Sequence, residues 1–148
     1  GFLCSTMLSV QSAPLCLMFV SVLTGVCCEQ LTAVQTERSS VEDQAVTLSY
    51  KYVRQASSSD DFFWYRQDPG EAPEFLLYIS GRNFTRLSEA LRSETKFSST
   101  VNGDRVDLQI SSAAAAHSAV YYCAVEPSGS GGLKLFFGRG VKVMVQDK

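Results

Sequence analysis

The sequence predicts an all-β domain, a sandwich of two antiparallel sheets. Three observations carry that prediction. Short apolar-alternating runs recur after residue 30, and two of them carry a Trp and a Cys: Trp64 in W-Y-R-Q (64–67) and Cys123 in Y-Y-C (121–123). Turn-forming clusters, D-P-G-E (68–71) and N-G-D (102–104), punctuate those runs. A Gly/Ser-rich stretch ends in F-G-R-G (137–140), after which Val141, Val143 and Val145 alternate again.

A chain of 148 residues supports one domain. Its net charge of −2 offers neither a nucleic-acid footprint nor attraction to an anionic membrane surface. Cys4, Cys16, Cys27 and Cys28 fall within the first 28 residues, which leaves Cys123 alone in the remainder. That first segment reads as a leader. Residues 15–23 form an apolar run of signal-peptide length, short for a bilayer span, and small residues precede the polar start at Glu29. Cleavage is expected at or near Cys28. No Lys or Arg precedes Arg38, which departs from the usual basic start, and residues 1–6 lie upstream of the first Met, Met7. The expected organisation is a leader over 1–28 and one domain over 29–148. Secretion then places the domain in an oxidising compartment.

Taken in order, 31–35 reads as a first edge strand, and 45–50 alternates with Val46, Leu48 and Tyr50 on one face. A polar, Ser-rich loop follows: Arg54, Gln55, Ala56, Ser57, Ser58, Ser59, Asp60 and Asp61. Residues 62–67 resume as a strand with Phe62 and Trp64 inward and Phe63, Tyr65 and Gln67 outward. The turn at 68–71 leads to a strand at 75–79, then to a turn-rich loop of Ser80, Gly81, Arg82, Asn83 and Phe84. N-F-T at 83–85 is also a glycosylation sequon, with Asn83 as the acceptor. Residues 96–101 and 106–110 flank N-G-D as a hairpin, with Leu108 and Ile110 facing the core. Four alanines at 113–116 are too few to hold a helix alone. The run 117–123 ends in Cys123, and Val125, Glu126, Pro127, Ser128, Gly129, Ser130, Gly131, Gly132, Leu133 and Lys134 form a flexible Gly/Ser loop.

These motifs resemble a T-cell receptor variable domain, most like an alpha chain, over residues 31–145. Trp64 with Y-Y-C is the pattern of an immunoglobulin-like variable-type sandwich, and F-G-R-G resembles the strand that a joining segment supplies. W-Y-R-Q and D-P-G differ from the W-Y-Q-Q and K-P-G of antibody light chains, and Phe137 in place of Trp argues against a heavy chain. The resemblance implies about nine strands and a short helical turn near the four alanines. It makes the three loops hypervariable: 55–61, 80–84 and 126–133. It also implies that Tyr65, Gln67, Pro73, Tyr122 and Phe137 line an interface with a T-cell receptor beta chain, Gln67 making a reciprocal amide contact. Tyr121 takes the tyrosine-corner position.

Two positions depart from the family. Tyr50 stands where the first cysteine of the inter-sheet disulfide is expected, so Cys123 is left unpaired and no intradomain bridge is expected. Losing such a bridge costs about 2–5 kcal/mol, against a usual total stability of about 5–15 kcal/mol. A buried Tyr ring offsets part of that if its hydroxyl finds a partner. Pairing of Cys123 with Cys27 or Cys28 would require cleavage further upstream and a displaced first strand. His117 stands where the family has an Asp that pairs with an Arg, which leaves Arg92 or its neighbours to find another partner.

The function implied by the resemblance is antigen recognition: pairing with a beta chain and binding a peptide–major histocompatibility complex. Signalling subunits would engage segments not present here. The expected location is the extracellular side of the plasma membrane, with the anchor outside this fragment. No catalytic site, metal site or cofactor is expected. Asp60 and Asp61 have no third carboxylate or His beside them, and His117, the single histidine, has no nucleophile and orienting carboxylate placed by the pattern. Three other readings stay open: a variable-type domain of a non-rearranging innate surface receptor, an antibody light chain, and a rearrangement product that folds poorly.

Overall fold

The computed structural model describes residues 29–92, 96–129 and 134–148. The expected leader, with its four cysteines, lies outside the described residues, as do Ser130, Gly131, Gly132 and Leu133.

Among the described residues eleven strands follow one another: β1 (Leu31–Ala33), β2 (Glu37–Val41), β3 (Val46–Tyr52), β4 (Asp61–Gln67), β5 (Glu74–Ser80), β6 (Thr85–Leu87), β7 (Phe97–Asn102), β8 (Arg105–Ile110), β9 (Ala119–Glu126), β10 (Phe136–Phe137) and β11 (Val141–Gln146). They form two sheets. One has the order β1-β3-β8-β7; the other runs β2-β11-β9-β4-β5-β6, with β10 on β9. The all-β sandwich that the alternation predicts is therefore the fold, and the inward sets match: Val46, Leu48, Tyr50, Phe62, Trp64, Leu108 and Ile110 are all buried between the sheets.

Two strands escape a reading of the sequence. The expected single edge strand at 31–35 is in fact β1, after which the chain crosses to the other sheet as β2 and runs parallel to β11, Glu37 opposite Lys142. The E-R-S-S-V run has no apolar face because β2 buries none of its residues. Its pairing rests on backbone hydrogen bonds. β6 begins at Thr85 for the same reason: it is an exposed three-residue edge against β5.

The hinge points behave as their residues dictate. Gly70 (φ 76°) and Gly103 (φ 67°) take left-handed conformations in the two predicted turns. The alanine run gives way to a 3-10 turn over Ala115–His117. There His117 is buried, its Nδ1 accepts from the Ala114 N–H at 2.9 Å, and its carbonyl accepts from the Tyr121 hydroxyl at 2.7 Å. That second bond is the expected corner. Arg92 pairs with Glu89 at 3.3 Å on the surface.

At the centre of the core stand Tyr50, Trp64 and Cys123. Trp64 lies opposite Cys123 on the adjacent strand, and its indole N–H donates to Ser99 at 2.9 Å. Tyr50 meets Trp64 edge to face, ring centroids 5.6 Å apart, and its hydroxyl donates to the carbonyl of Arg139. The buried hydroxyl thus has its partner. Cys123 is a free thiol with no exposure, and burial pushes its pKa well up. A thiol so placed behaves as a small apolar side chain.

Candidate functional site

Two surfaces concentrate what the sandwich exposes: the outer face of the larger sheet, and the loops at one end.

The outer face is aromatic because alternation along β4 and β5 leaves one side of each strand unburied. Tyr65 pairs in register with Tyr122, and its ring lies 5.4 Å from Phe137 and 5.9 Å from Phe75. Phe63 extends the array to Tyr78, 5.4 Å away. Phe137 is 56% exposed and Phe75 is 37% exposed. Large aromatic rings on an outer sheet face are a cost in water unless something covers them. Gln67 accepts from the Tyr122 hydroxyl at 2.9 Å and donates to the Glu71 carbonyl at 3.0 Å, which orients its amide. Pro73 is exposed just before β5. Of the five residues expected at the interface, Tyr65, Gln67, Tyr122 and Phe137 lie together. Phe63, Phe75 and Tyr78 complete the patch; their outward alternation was the available signal.

The glycines of F-G-R-G set this face by close approach. Between the pairs Phe137–Ala124 and Val141–Tyr121, residues 138–140 stand against 122–123, which is a one-residue bulge. A Cβ on Gly140 would lie 2.6 Å from Val120 and 2.9 Å from the Tyr122 ring. The bulge keeps Phe137 outward while β11 turns its valines inward.

At the end of the sandwich, loop one (53–60), loop two (81–84) and the start of loop three (127–129) come together. Asp60 and Asp61 part company here. The Asp60 side chain has no exposure, and Arg54 grips it with two bonds of 2.8 and 2.9 Å. Burial alone would raise the Asp60 pKa; Arg54 and the N–H groups of Ser128 and Ser57 outweigh it and bring the value to about 2. The polar, Ser-rich loop is thus built on a buried ion. Asp61 faces the other way, accepting from Tyr78 at 2.5 Å; burial and that carboxylate push the Tyr78 hydroxyl up to about 12. The two carboxylates do not share a site. Among the described residues no group of three or more His, Cys, Asp or Glu converges as a metal centre would require.

Gln55, Ser58, Ser59, Arg82, Phe84 and Gly129 are exposed at this end, while Ala56, Ser57, Gly81, Glu126, Pro127 and Ser128 are half-buried and Ser80 is buried in β5. Asn83 (φ 66°) uses its amide against the other sheet: it donates to the Val101 carbonyl at 2.9 Å and accepts from the Val101 N–H at 2.7 Å. Val101 lies on β7, an edge strand, so Asn83 supplies the missing rung of the ladder. The turn at 102–104 also reaches this end, with the Ala56 N–H donating to the Gly103 carbonyl at 2.9 Å. Its place there was hidden in the sequence.

An aromatic outer face, a loop-bearing end, a tyrosine corner and an F-G-x-G bulge on one two-sheet sandwich define a variable-type immunoglobulin domain. The chain belongs to the immunoglobulin V-set family, whose model matches residues 33–146. It is T-cell receptor alpha-like: it is 30% identical over 119 residues to the mouse T-cell receptor alpha chain V region 2B4, covering 79% of this chain and 85% of that protein. Among solved structures it resembles a chain from a study of T cell specificity and activation by the bacterial superantigen toxic shock syndrome toxin-1. The TM-score is 0.68 at 19% identity, over 78% of this chain and 97% of that one; the likeness is one of fold. The V-set is a recognition fold, not an enzyme family. Among the described residues no helix is long and apolar enough to cross a membrane.

Proposed function

We propose that this domain recognises antigen as the variable region of a T-cell receptor alpha chain. Its outer aromatic face pairs with the variable domain of a beta chain, and its loop end contacts a peptide held by a major histocompatibility molecule. The observation that carries the reading is the aromatic patch of Tyr65, Phe75, Tyr122 and Phe137 on the outer face of the larger sheet, with residues 53–60, 81–84 and 127–129 meeting at one end. A face of that kind is stable when a like face covers it, and two such domains side by side present their loops together. On this reading residues 1–28 act as a leader that carries the domain to the extracellular side of the membrane.

Co-expression with a panel of T-cell receptor beta chains, followed by sedimentation analysis, tests the reading. A one-to-one heterodimer is expected, weakened at least about tenfold by Phe137→Asp, as removal of a central aromatic anchor implies. A chain that stays monomeric with every beta chain, or whose pairing ignores Phe137→Asp, overturns it.

A further inference from the structure

The acceptors of Asp60 are spent on all three loops. Its carboxylate takes four hydrogen bonds, two from Arg54, one from the Ser57 N–H at 2.7 Å and one from the Ser128 N–H at 2.7 Å. Two oxygens offer about four acceptor positions, so none is left over. Its main-chain carbonyl accepts a further bond from the Gly81 N–H at 2.9 Å. Ser57 and Gly81 belong to loops one and two, and Ser128 opens loop three.

The surrounding contacts reinforce this junction. A Cβ on Gly81 would stand 1.8 Å from the Ser57 carbonyl oxygen, so loop two rests directly on the backbone of loop one. The Ser57 and Ser128 hydroxyls meet at 3.2 Å, and Arg54 reaches Ser128 as well at 3.4 Å while its guanidinium lies 5.1 Å from the centre of the Tyr52 ring. An aspartate serving its own turn would need the Ser57 bond alone. Here a charge removed from water is held by donors from separate segments, and each donor loses its partner if another moves.

We infer that Asp60 is a positioning residue that locks the bases of the three loops into one pre-formed arrangement. The inference rests on the proposal that this end is the binding end, and it specifies how that end works. Serine- and glycine-rich loops carry a large ordering cost when they bind. The Asp60 junction meets that cost at folding for the bases of the loops, so that variation in affinity is left to the exposed tips, Gln55, Ser58, Ser59, Arg82 and Phe84.

Amide hydrogen exchange on the full chain, without any partner, tests this directly. In Asp60→Asn the side-chain amide must turn an N–H toward a donor. Exchange at Ser57 and Ser128 should then speed up by about tenfold to a hundredfold, the range expected for loss of a hydrogen bond to a charged group, and by more than exchange at the buried Trp64 and Cys123 in β4 and β9, which follows only the change in global stability. Arg54→Gln, whose side chain is 42% exposed, provides the second variant and should loosen the same two amides. Unchanged exchange at Ser57 and Ser128 in both variants overturns the inference. So does an equal acceleration throughout β4 and β9, which would make Asp60 a residue of fold stability alone. No partner enters the experiment, so loosened loops in a chain that pairs with no beta chain would sink the proposed function and leave the junction standing.

Discussion

Tyr50 and Gly138 share one space: a Cβ at position 138 would lie 2.6 Å from Cε2 of the Tyr50 ring and 2.9 Å from Cδ2. The Tyr50 ring therefore fits because the bulge strand carries no side chain where the ring lies. Gly138 also donates its N–H to the Cys123 carbonyl at 2.9 Å, so β10 cannot simply retreat.

Gly138→Ala should accordingly destabilise the domain by about 1–3 kcal/mol, the usual range for overpacking. Much of that loss should disappear in a Tyr50→Ala background, which empties the space, although Tyr50→Ala is itself costly. Urea denaturation of the four proteins measures the coupling. Additive losses would mean that the ring and Gly138 do not meet.

The hydroxyl of Tyr50 makes a second, separable contribution. Tyr50→Phe keeps the ring against Trp64 and strips the Arg139 carbonyl of its donor, which should cost about 1–3 kcal/mol. Burial holds the Tyr50 pKa far above its ordinary value. In the unfolded chain the phenol ionises near pH 10, so its contribution is complete below that pH and declines as pH rises above it. The wild type should lose stability above about pH 10 more steeply than Tyr50→Phe, as thermal melts at pH 9 to 11 would reveal; parallel curves would refute the assignment.

Asp60 acts at the opposite end of the scale. Its folded pKa of about 2 lies below the ordinary carboxylate value, so the stability it lends is complete above about pH 4 and is lost as pH falls through 2. Asp60→Asn should therefore be less stable than wild type at pH 6, with the gap closing as pH drops from 4 toward 2. A gap independent of pH would show that the ionised carboxylate is not what holds the loops.

Asn83 presents a choice between a sugar and a bridge. Both amide atoms face Val101, so the hydrogen engaged is the one beside Oδ1. A sugar on a trans secondary amide takes that same side. In sugar-free protein Asn83→Ala should cost about 1–2 kcal/mol for the lost bonds, whereas Thr85→Ala, which removes the sequon and keeps the amide, should cost far less. Any glycosylated fraction should melt below the unmodified one. Equal melting of Asn83→Ala and wild type would dismiss the bridge.

The two-sheet class, the inward faces of β3, β4 and β8, both glycine turns and the outer face of β4 follow from period-two alternation and turn chemistry, which are local properties of the chain. Alternation also places Phe63, Tyr65 and Gln67 on one side of β4 before any fold is known, while Tyr122 joins them only through the resemblance. β2 and β6 are invisible to it, since exposed edge strands need no apolar face. Asp60 in a run of serines reads as solvated, and nothing adjacent in sequence says otherwise. Its burial depends on Ser128 and Gly81, which only the closing of the sandwich brings to it. The same holds for Tyr50, whose hydroxyl is answered by a carbonyl 89 positions away. Local sequence determined the faces of the strands; the packing of distant backbone groups decided which polar atoms could be buried.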